Sequence, residues 1–356
     1  MNQNEISDKR TIKAFKGITF SNFKKTEAKK ELLNNLAAGK IEPSCYWAAE
    51  FICAGHFLDV WDIFLLFIGK NVHIGNPKLP IYIDMRIDDF KSILNNGYTD
   101  NLLKMRNNNK IRKLFAEVIC VICLSKKKHS FDNIKIQKED FNVTKLSHKL
   151  KANNISYATK IFMKEDPKEL FIAINEFYWN LLSSQKNGTE ACYWLEWITG
   201  FEDACKKEKK KFICERRNVP VESKLQKDII WIVWDCLLLE SSNRSKGHHK
   251  LIKALLNLYC LKFTPGVKKR RKYLIYFAIH ILTETLDNSI PIISNKNIIN
   301  NVTSKINVVY KQIKKNEIKP DTDYLFNNSF TNNNLEKTIA KLDKMNALSG
   351  MVPRNN

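Results

Sequence analysis

Between Pro43 and Gly69 the chain carries two dense apolar segments, PSCYWAAEFICAG and LDVWDIFLLFIG, each stopping on a glycine. Proline pre-sets the φ of an opening helical turn, and glycine tolerates the left-handed residue that ends one. Two short helices joined by a tight turn satisfy both constraints. Only 11 Gly and 9 Pro punctuate 356 residues, too few turn formers for a many-stranded sandwich. The expected fold class is therefore all-α, a multi-helix bundle. The longest apolar runs, IIWIVW and YLIYFAIHIL among them, fall short of the roughly 18 residues that a membrane span needs. No membrane partner is expected.

Further helices follow from the same signals. A candidate runs from Ile81 to about Asn95, and another from Lys110 to Leu124. Asp166-Pro167-Lys168-Glu169 reads as a capping box, with Asp taking orphan amides and Pro at the first helical position. It opens LFIAINEFYWNLLSS, which ends before Gly188.

A Cys-Tyr-Trp triplet occurs twice, at Cys45-Tyr46-Trp47 and Cys192-Tyr193-Trp194. The first is followed by Val60-Trp61-Asp62 and the second by Val233-Trp234-Asp235; each then reaches a helix that opens basic and turns apolar, from Lys110 and from Lys268. Three landmarks in one order point to an internal duplication. Trp61 lies 16 residues after Cys45, whereas Trp234 lies 42 after Cys192, so the second copy holds about 26 extra residues, including the basic stretch ACKKEKKKFICERR. The expected organisation is a basic flexible arm (1–35), a first helical unit (36–155), a second unit (156–290) with a basic insertion at 198–223, and an Asn/Lys-rich interaction tail (291–356). Tyr46, Trp47, Gly55, Trp61, Gly75, Pro77, Tyr193, Trp194 and Trp234 are the expected structural positions. The tryptophans, at helical spacing among aliphatics, read as core and not as base-stacking platforms.

Lys and Arg number 59 against 37 Asp and Glu, a formal charge of +22. Such an excess calls for a polyanionic partner, most often nucleic acid; a coding bias toward Lys, Asn and Ile leaves the same composition. The candidate phosphate contacts are Lys126, Lys127 and Lys128 after one helix, Lys209, Lys210, Lys211, Arg216 and Arg217 in the insertion, and Lys268, Lys269, Arg270 and Arg271 at another helix boundary.

Catalytic patterns are missing. The chain has no G-x-x-x-x-G-K-[ST] loop, G-x-S-x-G elbow, H-E-x-x-H helix or G-x-G-x-x-G turn. No enzyme activity, cofactor or metal is expected. Cys120 and Cys123 have C-x-x-C spacing but sit in an apolar helix, and Cys205 and Cys214 supply two thiolates where a structural zinc wants four ligands. His248 and His249 complete such a set only if the fold brings them close. His56 and His73 lack a nucleophile or carboxylate pattern and read as turn residues. Asp84, Asp88 and Asp89, the acids a nuclease reading would use, look like the exposed face of a helix. Nine cysteines, most of them in apolar helical stretches, read as reduced thiols of a cytosolic or nuclear protein.

CYWAAEFICAG, the loop VHIGNPKLP and a helix ending in VICLSKKKHSF together resemble the helical C-terminal collar region of clamp-loader and RarA-like replication ATPases. The matching positions are Tyr46, Trp47, Ala54, Gly55, Ile74, Gly75 and Pro77, with Ser125 and Lys126 at the closing turn. In that family the collar holds a ring of subunits together, and a separate N-terminal module, missing here, binds ATP. The resemblance implies a noncatalytic DNA-replication accessory protein that assembles with itself or with replication proteins and holds DNA. The chain also resembles proteins of nucleocytoplasmic large DNA viruses, which implies a viral factory or nuclear setting. A virion structural or genome-packaging role is the alternative that its charge would serve equally.

Overall fold

The computed structural model describes residues 4–99, 101–132, 134–142, 146–210 and 212–319. Among them are twelve α-helices and no strand, only an isolated bridge between Ile18 and Lys24. The helices are α1 (Lys25–Ala37), α2 (Ile41–Cys53), α3 (Phe57–Phe67), α4 (Leu79–Asn95), α5 (Asn109–Leu124), α6 (Phe171–Leu181), α7 (Gly188–Lys207), α8 (Ile230–Arg244), α9 (Lys246–Cys260), α10 (Pro265–Arg270), α11 (Lys272–Thr283) and α12 (Lys296–Lys314). None of the described helices is long and apolar enough to cross a membrane.

Local chemistry accounts for most boundaries. Gly55, at φ +81, ends α2 in the left-handed conformation that costs glycine nothing. Side chains of Asn108, Asn187, Ser245, Thr264 and Asn295 accept the orphan amides at the starts of α5, α7, α9, α10 and α12.

Two expected signals act differently. Gly69 does not stop α3; the helix widens into a π-turn, Ile68–Val72, followed by a 3-10 turn, His73–Gly75. The glycine serves a crossing instead, since a Cβ there would lie 3.0 Å from the backbone carbonyl carbon of Tyr273 on α11. Asp166 does not cap a helix. Its carboxylate accepts from Arg217 Nη1 at 2.7 Å and Nη2 at 2.6 Å and from the Glu215 amide at 2.9 Å, while the 3-10 turn Lys168–Leu170 leads into α6.

The expected flexible arm is packed. Ile6, Phe15, Phe20, Ala28 and Leu32 are buried, and the Arg10 guanidinium lies 4.7 Å from the rings of both Phe15 and Phe20. His56 Nε2 sits 2.9 Å from the Phe15 carbonyl and 3.0 Å from that of Ile18, so it donates to these acceptors. The expected tail is likewise part of the body as far as it is described. Helix α12 buries Ile299, Ile306, Val309, Tyr310 and Ile313 against α5 and α2, with Arg112 4.1 Å over the Tyr310 ring. The segments NNSFTNNN and NNLEKTIAKLDKM lie outside the described residues.

A single apolar core runs from Ile6 to Ile313 across both expected units. Helix α4 packs on α9, joining the halves. Within them four pairings recur in order, α1 with α2 and α6 with α7, α1 with α3 and α6 with α8, α2 with α5 and α7 with α11, α4 with α5 and α9 with α11, whereas the packing of α8 on α9 and of α2 on α3 has no close counterpart in the other half. This correspondence follows the order of the sequence landmarks. Trp61 and Trp234 lie buried on α3 and α8, and Tyr193 and Trp194 on α7, whereas Tyr46 and Trp47 on α2 are only half-buried. Trp47 meets Phe23 edge-on at 5.1 Å.

Candidate nucleic-acid interface

The three basic clusters have different fates. Lys268 is buried, its Nζ 2.5 Å from both Glu202 and Asp228. Arg271 is buried too, donating to Asp62 at 2.6 Å and to carbonyls of Leu258 and Tyr259 at the end of α9. These two cations are therefore structural and unavailable to phosphates. Lys269 and Arg270 are exposed, but lie 2.8 Å from Asp203 and 3.8 Å from Asp62.

In the insertion, Arg217 is buried between Asp166 and Asp235, and it too is removed from the surface. Hydrogen bonds to the two carboxylates outweigh its burial and hold the guanidinium in its charged form. Arg216 is exposed and donates to Gln226 at 2.6 Å. Lys209 is exposed, Lys210 is exposed and pairs with Glu208 at 2.8 Å, and Lys211 lies outside the described residues.

The third cluster stays outward. Lys126, Lys127 and Lys128 are all exposed in the turn that closes α5. Lys127 reaches the Cys123 carbonyl at 2.9 Å and Lys128 pairs with Glu284 at 2.7 Å; Lys126 makes no ion pair among the described residues. Backbone bonds clamp this turn to the segment after α3. The Ser130 amide donates to Lys70 O at 2.8 Å and the Lys128 amide to Val72 O at 3.2 Å. Gly75 lets the two chains touch, because a Cβ there would stand 2.4 Å from Lys126 O. Asn76 Nδ2 then donates to Ser125 Oγ at 3.2 Å, and Pro77 is buried beside it.

The clamp gathers lysines that sequence reasoning did not connect. Lys70 rides 5.6 Å over the Tyr273 ring, and Lys78 reaches the Asn288 carbonyl at 2.6 Å. Hydrogen bonds from Ser289 lower the Asp287 pKa, with Lys126 and Lys78 adding to the effect. Beside Glu284 lies a depression of about 450 Å³ bordered by exposed Lys186 and by His280. The face thus presents Lys70, Lys78, Lys126, Lys127, Lys128 and Lys186 around the carboxylates Glu284 and Asp287. Its signal in sequence was the Lys126–Lys128 run alone.

Behind this face sits a buried histidine pair. His73 occupies φ +48, with Nδ1 3.0 Å from Gly69 O and Nε2 2.5 Å from His280 Nδ1. A carbonyl only accepts, so His73 carries its proton on Nδ1 and receives a hydrogen bond from His280 at Nε2. Burial, with the neighbouring His280 adding to it, lowers the His73 pKa to about 3; burial also lowers that of His280. The pair is neutral near pH 7. His73 is a turn residue as expected, but its partner lies 207 positions away and left no local signal.

The remaining leads do not converge. No group of three or more His, Cys, Asp or Glu among the described residues could hold a metal ion. All nine cysteines are buried and unbridged, and burial pushes the Cys120 thiol up to about 12 and Cys123 to about 11. Asp84 accepts from Asn257, Asp88 from Lys91, and Asp89 pairs with Arg86, spread along α4. Four tryptophans, Trp61, Trp194, Trp231 and Trp234, are buried and present no stacking surface. No known protein family, curated protein or solved structure matches the chain.

Proposed function

We propose that this protein is a noncatalytic helical scaffold for DNA transactions, which binds the phosphate backbone through the lysine face around Lys70, Lys78 and Lys126–Lys128. The observation that carries the reading is the clamp between the turn after α5 and the segment after α3, which holds exposed Lys126–Lys128 next to half-buried Lys70 and Lys78. Phosphate binding needs several cations fixed at once, because each neutralised phosphate releases a counterion. The same clamp joins the middle loop of the collar-like motif, Gly75-Asn76-Pro77, to its closing turn, Ser125-Lys126, which supports a replication accessory role with self-assembly or a replication protein as partner.

Fluorescence anisotropy with a labelled 20-base-pair duplex tests the reading. With four to six lysines engaged, log K should fall against log salt with a slope of about −4 to −5. Wild-type binding that ignores salt, or a K126E/K127E variant that binds as the wild type does, would remove it.

A further inference from the structure

The first turn of α7 borders the depression beside Glu284, about 450 Å³ in volume, whose lining includes Lys186, Gly188, Thr189, His280 and Glu284. Lys186, Thr189 and Glu284 are exposed and Gly188 is half-buried, so this rim meets solvent. The turn is held in place. The amides of Lys186 and Asn187 donate to Leu182 O and Asn180 O, both at 2.9 Å, and Asn187 Oδ1 accepts from the Glu190 amide at 3.1 Å. The amides of Gly188 and Thr189, the first two of a 20-residue helix, are left without acceptors among the described residues, and the helix dipole adds partial positive charge there.

The buried member of the lining is only half used by the fold. His280 is 7% exposed, and its Nδ1 proton goes to His73 Nε2. Its own Nε2 then carries a bare lone pair in the neutral ring. No hydrogen bond reaches that nitrogen from the described residues, Glu284 Oε1 being 3.9 Å away, and it keeps some contact with solvent, unlike enclosed unpaired atoms such as Trp61 Nε1. Gly188 allows the close approach, because a Cβ there would stand 2.7 Å from Thr283 Oγ1 and 3.2 Å from His280 Nε2. The cleft thus sets one buried acceptor among donors. The groups around the ring are Lys128 and His129 from the turn after α5, Lys186 before α7, Glu284 just after α11, and neutral His73; Glu284 is already matched by Lys128 at 2.7 Å.

We infer that this cleft binds a phosphate group carrying one proton: the P–OH donates to His280 Nε2, and the remaining oxygens accept from the α7 amides and Lys186. The lone pair disfavours a fully ionised anion such as sulfate, and the helix terminus and lysines disfavour a cation. Lys128 is shared with the lysine face, yet the site stands without DNA binding there. Two sources offer this chemistry, free hydrogenphosphate at neutral pH and the terminal phosphate of a nucleic-acid strand, whose second pKa is about 6.

Inorganic phosphate and sulfate serve as probes, titrated at pH 7.5 and constant ionic strength into the full chain while the imidazole nitrogens are followed by NMR. Phosphate should move the His280 Nε2 resonance saturably toward its protonated position and bind about tenfold or more tightly than sulfate, the scale of one hydrogen bond to a charged group. Lys186→Gly, which suits the φ of +50, should weaken phosphate about threefold or more. No saturable shift at His280, equal binding of sulfate, or an unchanged Lys186→Gly variant overturns the proposal. Duplexes with 5′-phosphate and 5′-hydroxyl ends, compared at pH 6, separate the sources: tighter binding of the phosphorylated end assigns the terminal phosphate, and equal binding assigns the free ion. Failure of both duplexes to bind removes the lysine-face reading instead, and the free ion is then the ligand that the His280 shift reports.

Discussion

Acidification should weaken this fold through His73, and the size of the effect follows from where the ring sits. Folded, the imidazole stays neutral down to about pH 3, because burial and the adjoining His280 oppose its charge. Unfolded, it protonates near pH 6.5, the ordinary value for histidine. Above pH 6.5 both states hold it neutral and nothing is lost. As pH falls the unfolded chain takes up the proton first, and stability drains away progressively until about pH 3. At pH 5 the loss is about 2 kcal/mol for this one group, at 1.36 kcal/mol per pH unit below 6.5. The assay is urea unfolding at pH 7.5, 6 and 5, comparing the wild type with His73→Asn. Asparagine tolerates the positive φ, so the turn survives while the titrating group is removed. Carboxylates such as Asp84 and Glu176 titrate alike in both proteins and cancel. The variant should lose about 2 kcal/mol less than the wild type between pH 7.5 and 5. Parallel pH profiles, or a His73 ring resonance that titrates near pH 6.5 in the native protein, would refute the reasoning.

Other outcomes follow from the same geometry. Arg217→Met leaves Asp166 buried without its partner and should cost about 3–5 kcal/mol, read by urea denaturation. Lys268→Ala should act in the same direction, lowering Tm, because Glu202 is left buried without that cation; at temperatures where it stays folded, DNA affinity should match that of the wild type. Gly75→Ala sets a methyl against the Lys126 carbonyl and should destabilise by about 1–3 kcal/mol, as overpacking does. Loss of DNA binding should accompany it in the anisotropy assay, since the clamp aligns the lysines.

Local signals carried the reading wherever partners are close in sequence. Helix α5 begins at Asn109, one residue from its expected start, because capping and apolar periodicity are both written within a few positions. Gly55 ends α2 for the same reason. The misread positions share another cause. Asp166 has every mark of a cap, yet Arg217, 51 residues on, takes its carboxylate. A run such as Lys268–Arg271 looks like free charge until Glu202 and Asp228 are placed beside it, 66 and 40 residues away. Helix α12 did show apolar residues at helical spacing, but its Asn and Lys content pointed outward, and nothing nearby said that α5 needed covering. Half of the lysine face was legible, for Lys70, Lys78 and Lys186 become neighbours of the Lys126–Lys128 run only through tertiary contacts.

The seating of α12 on α2 and α5 also fixes an order of events during synthesis. The amide of Lys9 donates to Ile318 O at 2.9 Å, Arg10 reaches Asn316 O at 3.1 Å, and Asn316 bonds Ser21 at 2.7 Å. When the first five helices have left the ribosome, the apolar grooves that will receive Ile306 and Tyr310 are open to water. At about 5–20 residues per second, the chain between α5 and α12 takes on the order of ten seconds or more to follow. For that interval the nascent protein displays a sticky, half-finished surface, a natural target for chaperones. The last described helix is the stopper that ends it.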